Sequence, residues 1–325
     1  MKLPRRQFLK MIAGAFVLPG ASGIASAQTY PARSVRVIVG YAAGGASDIA
    51  ARLIGRRLSE RLGQPFIVEN RPGAASNLAT ETVVNAPPDG HTLLLVSASN
   101  AINATLYDKL NYNFIRDIAP VGSITRGPLV MLVNPSYPAK TVAEFIALAK
   151  ARPDQVNMAS AGVGSPQHLA GELFNALAGI KMLHVPYRGA PPALTDLIGG
   201  QVQVYFGSMA GAITYVRSGQ LRALAVTSAT RSEALPDVPT VSEFVPGYEP
   251  TTWYGIGAPK GTPPTIIEKL NAEINAALGD PGVKAHMAEL GETPVSGSPA
   301  DFARLIADET ERWARAVKFS GAKGS

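Results

Sequence analysis

An α/β fold, with mostly parallel sheets flanked by helices and divided between two domains, is what this sequence predicts. Three observations carry that expectation. Short runs rich in β-branched residues alternate with segments of helical periodicity, and glycine-rich turns separate the two kinds. The chain, 325 residues long, also exceeds what one hydrophobic core usually organises.

The alternation begins at Val35-Arg36-Val37-Ile38-Val39, which reads as a buried strand. Residues 40–45 follow as a glycine-rich turn, and 47–62 as a helix whose Ile49, Leu53, Ile54 and Leu58 recur at helical spacing. A strand at 66–69, a loop at 70–73, a helix at 78–85, the turn Pro87-Pro88-Asp89-Gly90 and a strand at 92–96 complete the first series. The next strand reads as 128–134, with Pro135 and Pro138 after it. A second series then runs helix 142–151, strand 156–160, helix 166–178, strand 183–187, helix 191–198 and strands 202–206 and 221–227. The proline-rich stretch 236–250 reads as a connector and 253–258 as a strand, before helices at 263–278, 283–290 and 299–319. If that tail packs on the first domain, the chain crosses between domains twice, which is a hinge geometry. The expected division is 28–128 with 252–325 in one lobe and 129–251 in the other.

The first 27 residues read as an export signal of the twin-arginine type. Arg5-Arg6 precedes an uncharged stretch, 11–24, and Ala25-Ser26-Ala27 supplies the small residues that a signal peptidase needs. Pro19 and the glycines Gly14, Gly20 and Gly23 argue against a membrane anchor, since the segment is already short of the ~20 apolar residues a span wants. Cleavage after Ala27 removes Lys2, Arg5, Arg6 and Lys10, so 30 basic against 24 acidic residues becomes 26 against 24. A pI near 9.5 therefore says little about the exported protein. No dense Lys/Arg run follows Ala27, which excludes a phosphate-tracking stripe and with it nucleic acid as a partner. Cysteine is absent, so no disulfide and no thiolate chemistry is available.

Ligands of open α/β sheets bind beyond the carboxyl ends of strands, where helix N-termini converge. Two segments fit. In Tyr41-Ala42-Ala43-Gly44-Gly45-Ala46-Ser47-Asp48, two glycines let the backbone approach a ligand and the following helix offers unpaired N–H groups. In Ser160-Ala161-Gly162-Val163-Gly164-Ser165-Pro166-Gln167-His168, Ser165 stands as an N-cap with Pro166 at the first helical position. Two such N-termini facing across a cleft form a carboxylate trap of backbone donors. Both segments also read as ordinary strand-to-helix turns, with Asp48 a first-turn acid that stabilises the dipole. Secondary candidates are Ser97 and Ser99 in Ser97-Ala98-Ser99-Asn100, then Tyr187, Arg188 and Gly189 after the strand at 183–187, and Ser208. Arg188 suits bidentate pairing with a second carboxylate, and Tyr41 suits stacking on a ligand body.

Enzymatic readings lack their motifs. No Gly-x-Ser-x-Gly surrounds Ser165 or Ser208, and no P-loop or Gly-x-Gly-x-x-Gly closes the glycine turns. The four histidines are scattered and no His-Glu-x-x-His occurs; His168 and Glu172, one turn apart, read as an ion pair before they read as metal ligands.

The ordered series Tyr30-Pro31-Ala32-Arg33, Ala42-Ala43-Gly44-Gly45 with Asp48, and Gly63-Gln64-Pro65-Phe66-Ile67-Val68-Glu69-Asn70-Arg71-Pro72-Gly73-Ala74 resembles the substrate-binding receptors of tripartite tricarboxylate transporters, the Bug family. Pro88-Asp89-Gly90-His91-Thr92-Leu93-Leu94, the 160–169 segment, His184-Val185-Pro186-Tyr187-Arg188-Gly189, the 221–227 strand, Leu235-Pro236-Asp237-Val238-Pro239-Thr240 and Trp253-Tyr254-Gly255 extend it over the whole chain after the leader. The resemblance implies a two-lobed periplasmic-binding-protein clamp of type II, or Venus-flytrap, form. It implies a monomer without a cofactor, which holds a carboxylate through the loops at 41–45 and 160–165 and delivers it to membrane transporter subunits. Gly40-Tyr41 stands where the family often shows Pro-Phe, and Gly207-Ser208 where some members carry an acid, so the ligand stays open. A sensor serving a signalling partner, and an exported serine hydrolase, are the alternatives.

Overall fold

The computed structural model describes residues 30–324; the expected leader and its cleavage point after Ala27 lie outside the described residues. In chain order the first elements are β1 (Val35–Val39), α1 (Ala46–Leu62), β2 (Phe66–Asn70), α2 (Asn77–Val84), β3 (Thr92–Ser97), α3 (Ala98–Leu106), α4 (Phe114–Asp117) and β4 (Ile118–Val133). There follow α5 (Val142–Ala151), β5 (Asn157–Ser160), α6 (Pro166–Ala178), β6 (Leu183–Pro186), α7 (Ala190–Ile198), β7 (Val204–Ser208), α8 (Met209–Arg217) and β8 (Arg222–Val226). The chain closes with β9 (Thr251–Pro259), α9 (Pro264–Gly279), α10 (Pro281–Glu289), β10 (Thr293–Pro294) and α11 (Pro299–Ser320).

Helix boundaries follow their caps. α6 opens on Ser165, whose Oγ accepts the His168 N–H at 3.2 Å, with Pro166 next, and it stops at Gly179 in the left-handed region. α11 opens on Ser298 with a reciprocal Asp301 bond and stops at Gly321, also left-handed.

The strand order is β2-β1-β3-β9-β4-β7-β5-β6, with β8 and β10 also on β4. The sheets are mixed: β1 is parallel to β2 and β3, and β5 to β6 and β7, while β4 and β9 pair antiparallel with every partner. β4 belongs to both sheets. Its residues up to Pro128 pair with β9 (Pro128 opposite Thr251), and from Leu129 onward it pairs with β7 and β8. The sequence reading caught only the apolar half, 128–134. Pro120, Gly122, Ser123, Thr125, Arg126 and Gly127 break the apolar run in the other half.

Each sheet is covered on both faces. Ile54 and Leu58 of α1 and Ile267, Leu270 and Ile274 of α9 cover one face of the first sheet. Phe302, Ile306 and Trp313 of α11 cover the other, against Ile38, Leu94 and Trp253. Phe145 and Phe174 lie on one face of the second sheet, and Leu194, Leu197 and Ile213 on the other. Trp253 is fully buried edge-on to Phe302, with ring centroids 5.9 Å apart, a packing that contributes about 2–3 kcal/mol. The C-terminal helices thus return to the first sheet. No described helix is long and apolar enough to cross a membrane.

Candidate functional site

Five helices begin where strands of the two sheets end, and all five beginnings line one cleft of about 460 Å³, its open mouth included. Gly45, Ala46 and Ser47 come from the head of α1, Ser97 and Ser99 from that of α3, and Pro166 and Gln167 from that of α6. Ala190 opens α7, and Ser208, Gly211 and Ala212 belong to the first turn of α8. No lysine, arginine, aspartate or glutamate is in the lining. Helix N-termini carry unpaired N–H groups and about half a positive charge each. The cleft is therefore electropositive without a formal cation, a setting made for an anion.

The loop at 41–45 is held from within. Asp48 is 4% exposed; its Oδ2 accepts the Gly44 N–H at 2.9 Å and the Arg52 Nε–H at 2.9 Å. Its Oδ1 accepts from Asn70 Nδ2 at 3.0 Å, and that amide also reaches the Tyr41 carbonyl at 3.0 Å. Burial pushes this carboxyl up, but Arg52, the Gly44 amide and Asn70 together outweigh burial and hold it below the usual range. Asp48 is thus ionised and committed to the loop. The Tyr41 hydroxyl shares a hydrogen bond with Ser99.

The loop at 160–165 is held by imidazoles. Ser160 Oγ lies 2.6 Å from His184 Nε2 and accepts the Gly162 N–H at 3.0 Å. His168 stacks on His184 with centroids 4.0 Å apart, and its Nδ1 accepts the Gly164 N–H at 3.3 Å. That acceptor role requires the neutral ring. Burial, and for His168 also the neighbouring His184, lowers the pair to about 3 and about 4. Gly164 has φ +87, and a Cβ there would fall 2.3 Å from Asn103 Oδ1. His168 Nε2 is 3.8 Å from Glu172, and no described residue adds a third metal-binding group.

Of the residues expected from sequence, Tyr41, Gly45, Ser97, Ser99 and Ser208 line the cleft. Tyr41 also walls an adjoining chamber with Gly162, Tyr187 and Arg188, where Arg188 is exposed and makes no ion pair among the described residues. Ala43 and Gly44 lie exposed at the rim, and Gly189 is buried where the loop between β6 and α7 meets Ala42, so near that a Cβ would come within 3.1 Å. Asp48, Ser160, Gly164, Ser165 and His168 stand behind the cleft and shape its loops.

Sequence reasoning missed Gln167, Tyr205, Thr252 and Tyr254 as lining residues. Gln167 Oε1, Tyr205 OH and Thr252 Oγ1 are buried with no hydrogen-bond partner, so polar capacity remains for a bound molecule. Burial raises the Tyr205 hydroxyl far above its ordinary range and the Tyr254 hydroxyl to about 12, keeping both as neutral donors. Tyr205 and Tyr254 lie in strands that read as buried, and only their alternation would have turned them toward a site. α8 went unread altogether.

The sequence profile of the tripartite tricarboxylate transporter family receptor (TctC) matches residues 50–321. Protein BugT of Bordetella pertussis is 40% identical over 97% of this chain and 98% of its own. The structure of R. palustris Rpa4515 with adipate superposes with a TM-score of 0.88 at 36% identity, covering 90% of this chain and 99% of that one. MatC from Rhodopseudomonas palustris with bound malate gives 0.85 at 35% identity, covering 89% and 100%.

Proposed function

The chain belongs to the tripartite tricarboxylate transporter receptor family, and from that premise we propose that its cleft captures a small carboxylate for delivery to membrane transporter subunits. The observation that carries this reading is the convergence of five helix N-termini on a cleft without a cation. A carboxylate there accepts backbone N–H bonds, and the apolar and tyrosine walls hold its carbon skeleton. Two related structures, one with adipate and one with bound malate, support the same ligand class. Arg188, in the adjoining chamber, is the candidate partner for a second carboxylate. We assign residues 28–128 with 252–325 to one lobe and 129–251 to the other; the change of β4 partners between Pro128 and Leu129 supports that boundary. In this proposal the protein acts outside the cytoplasm after export, and does no chemistry on its ligand. Ser160 and His184 stand like a nucleophile and its base, but Ser160 is fully buried and already engaged by the Gly162 amide.

Calorimetric titration with mono-, di-, tricarboxylic and aromatic acids tests the reading. Acids should bind at least tenfold more tightly than their amides, about 1.4 kcal/mol, and Arg188→Ala should cost dicarboxylates more than monocarboxylates. Equal affinity for acid and amide would sink the carboxylate trap.

A further inference from the structure

Behind the cleft, across a shared wall of Tyr254 and Ala46, a tight pocket is bounded by apolar side chains of α1 and of α10 and the residue that ends it, among them Ile49, Leu53, Met287 and Leu290. One carboxyl group enters it, that of Glu292. The residue is 6% exposed. Its Oε2 accepts the Thr125 hydroxyl at 2.9 Å, and its Oε1 has no hydrogen-bond partner. A Cβ on Gly127 would fall 2.6 Å from its carboxyl carbon, so the group lies flat against β4 just before that strand changes sheets. The preceding Gly291 turns in the left-handed region, packed so that a Cβ would meet Met209 of α8 at 2.4 Å. Glu292 thus sits between the strand that joins the two sheets and the first turn of α8.

The surroundings hold no compensating charge. Thr125 and Gly127 face it from β4, Tyr254 from β9, Ala210 from α8, and apolar residues from α1 and α10. Tyr254 is the titratable group among them. Arg126, next along β4, turns to Glu309 instead, at 3.2 Å. Glu309 makes the contrast plain, since it is 4% exposed yet paired with Arg126, Arg312 and the Trp253 indole. A buried carboxylate without a cation takes a proton rather than bear its desolvation. Burial pushes Glu292 up to about 7, against the pull of the Thr125 hydroxyl and the Ala210 amide.

That amide belongs to the helix end that serves the ligand cleft. Ala210 favours the ionised form of Glu292, while Ser208, Gly211 and Ala212 line the cleft. An anion in the cleft and an ionised Glu292 are like charges drawing on one dipole, and each raises the cost of the other. We propose that Glu292 is a proton-binding site linked to the cleft, so that an anionic ligand and a solvent proton are taken up together. This rests on the carboxylate reading. Its sign follows from linkage: affinity is full below about pH 7, where Glu292 is already protonated, and falls as pH rises above it.

Calorimetry with adipate and malate at about pH 6.5 and 8.5, each in two buffers of different ionisation heat, counts the protons. Wild type should take up a measurable fraction of a proton and bind at least fivefold more weakly at the higher pH. Glu292→Gln should take up none and bind equally at both. Should that variant not fold, Thr125→Val, which removes the hydroxyl favouring the ionised form, should move the uptake to higher pH. Carboxylate binding with the same proton count in wild type and variant overturns the linkage and leaves the carboxylate reading standing. Failure of both acids to bind at any pH defeats the carboxylate reading and the linkage with it. Thermal midpoints of the ligand-free chain then report on the proton site alone: a decline from pH 6 to 8 that Glu292→Gln abolishes retains it, and parallel curves remove it.

Discussion

The two loops that face each other across the cleft have similar sequences of small residues and opposite electrostatics. The 41–48 loop is held by an ionised carboxylate with a cation, two amides and a buried helix start around it. The 160–168 loop is held by two stacked neutral imidazoles and a serine hydroxyl. Each solution leaves helix N–H groups free toward the cleft, because the side chains that brace the backbone do so from behind. The difference teaches that the same anion-binding geometry can rest on a charge or on the absence of one. The two supports should fail under different conditions.

The largest effect should come from removing the charge. Asp48→Ala leaves the Gly44 N–H, Asn70 and Arg52 without their shared acceptor, and should cost about 3 kcal/mol of stability together with most of the ligand affinity. Chemical denaturation and titration of the folded fraction measure both. A variant with wild-type affinity would show that the loop keeps its shape unaided.

Acid should separate the loops next. His168 and His184 have folded pKa values lowered from 6.5 to about 3 and about 4, so the unfolded chain binds protons more readily. Their contribution is fully present above about pH 6.5 and is lost as pH falls toward 4. Asp48, with a pKa lowered from 3.8, keeps its contribution until the pH falls below that. Hydrogen exchange at about pH 5, corrected for intrinsic rates, should therefore show 160–168 opening before 41–48. The reverse order would break the comparison.

The smallest effect concerns the caps. α6 begins on a serine that bonds its third amide, whereas α1 begins on Gly45, which has no side chain to do so. Ser165→Ala should cost about 1 kcal/mol of stability. Because Ser165 is fully buried and outside the cleft lining, ligand affinity should change by less than about threefold. A larger loss would put its hydroxyl on the ligand.

Much of this is legible in the sequence. Ser165-Pro166 announced the head of α6, Gly63 and Gly179 lie at the ends that helical periodicity gave α1 and α6, and three of the segments that carried the family resemblance, at 42–45, 160–169 and 253–255, border the cleft. These are local signals, set by which backbone angles and which neighbouring bonds a residue allows. The role of Asp48 was only half legible: a first-turn acid reads as a dipole partner, and nothing near it in sequence announces Asn70, 22 residues on, as the amide that pins it to the loop.

By itself, then, the sequence determined the alternation of strands and helices, the glycine turns and the caps, because each depends on residues a few positions apart. Tertiary structure alone decided that five helix heads meet, that Tyr205 and Tyr254 face the cleft, and that Glu292 is buried against a strand 167 residues before it. Those outcomes follow from sheet order and from the passage of β4 through both sheets. Periodicity reports that a residue is buried, whereas what it is buried against is set by how distant elements stack.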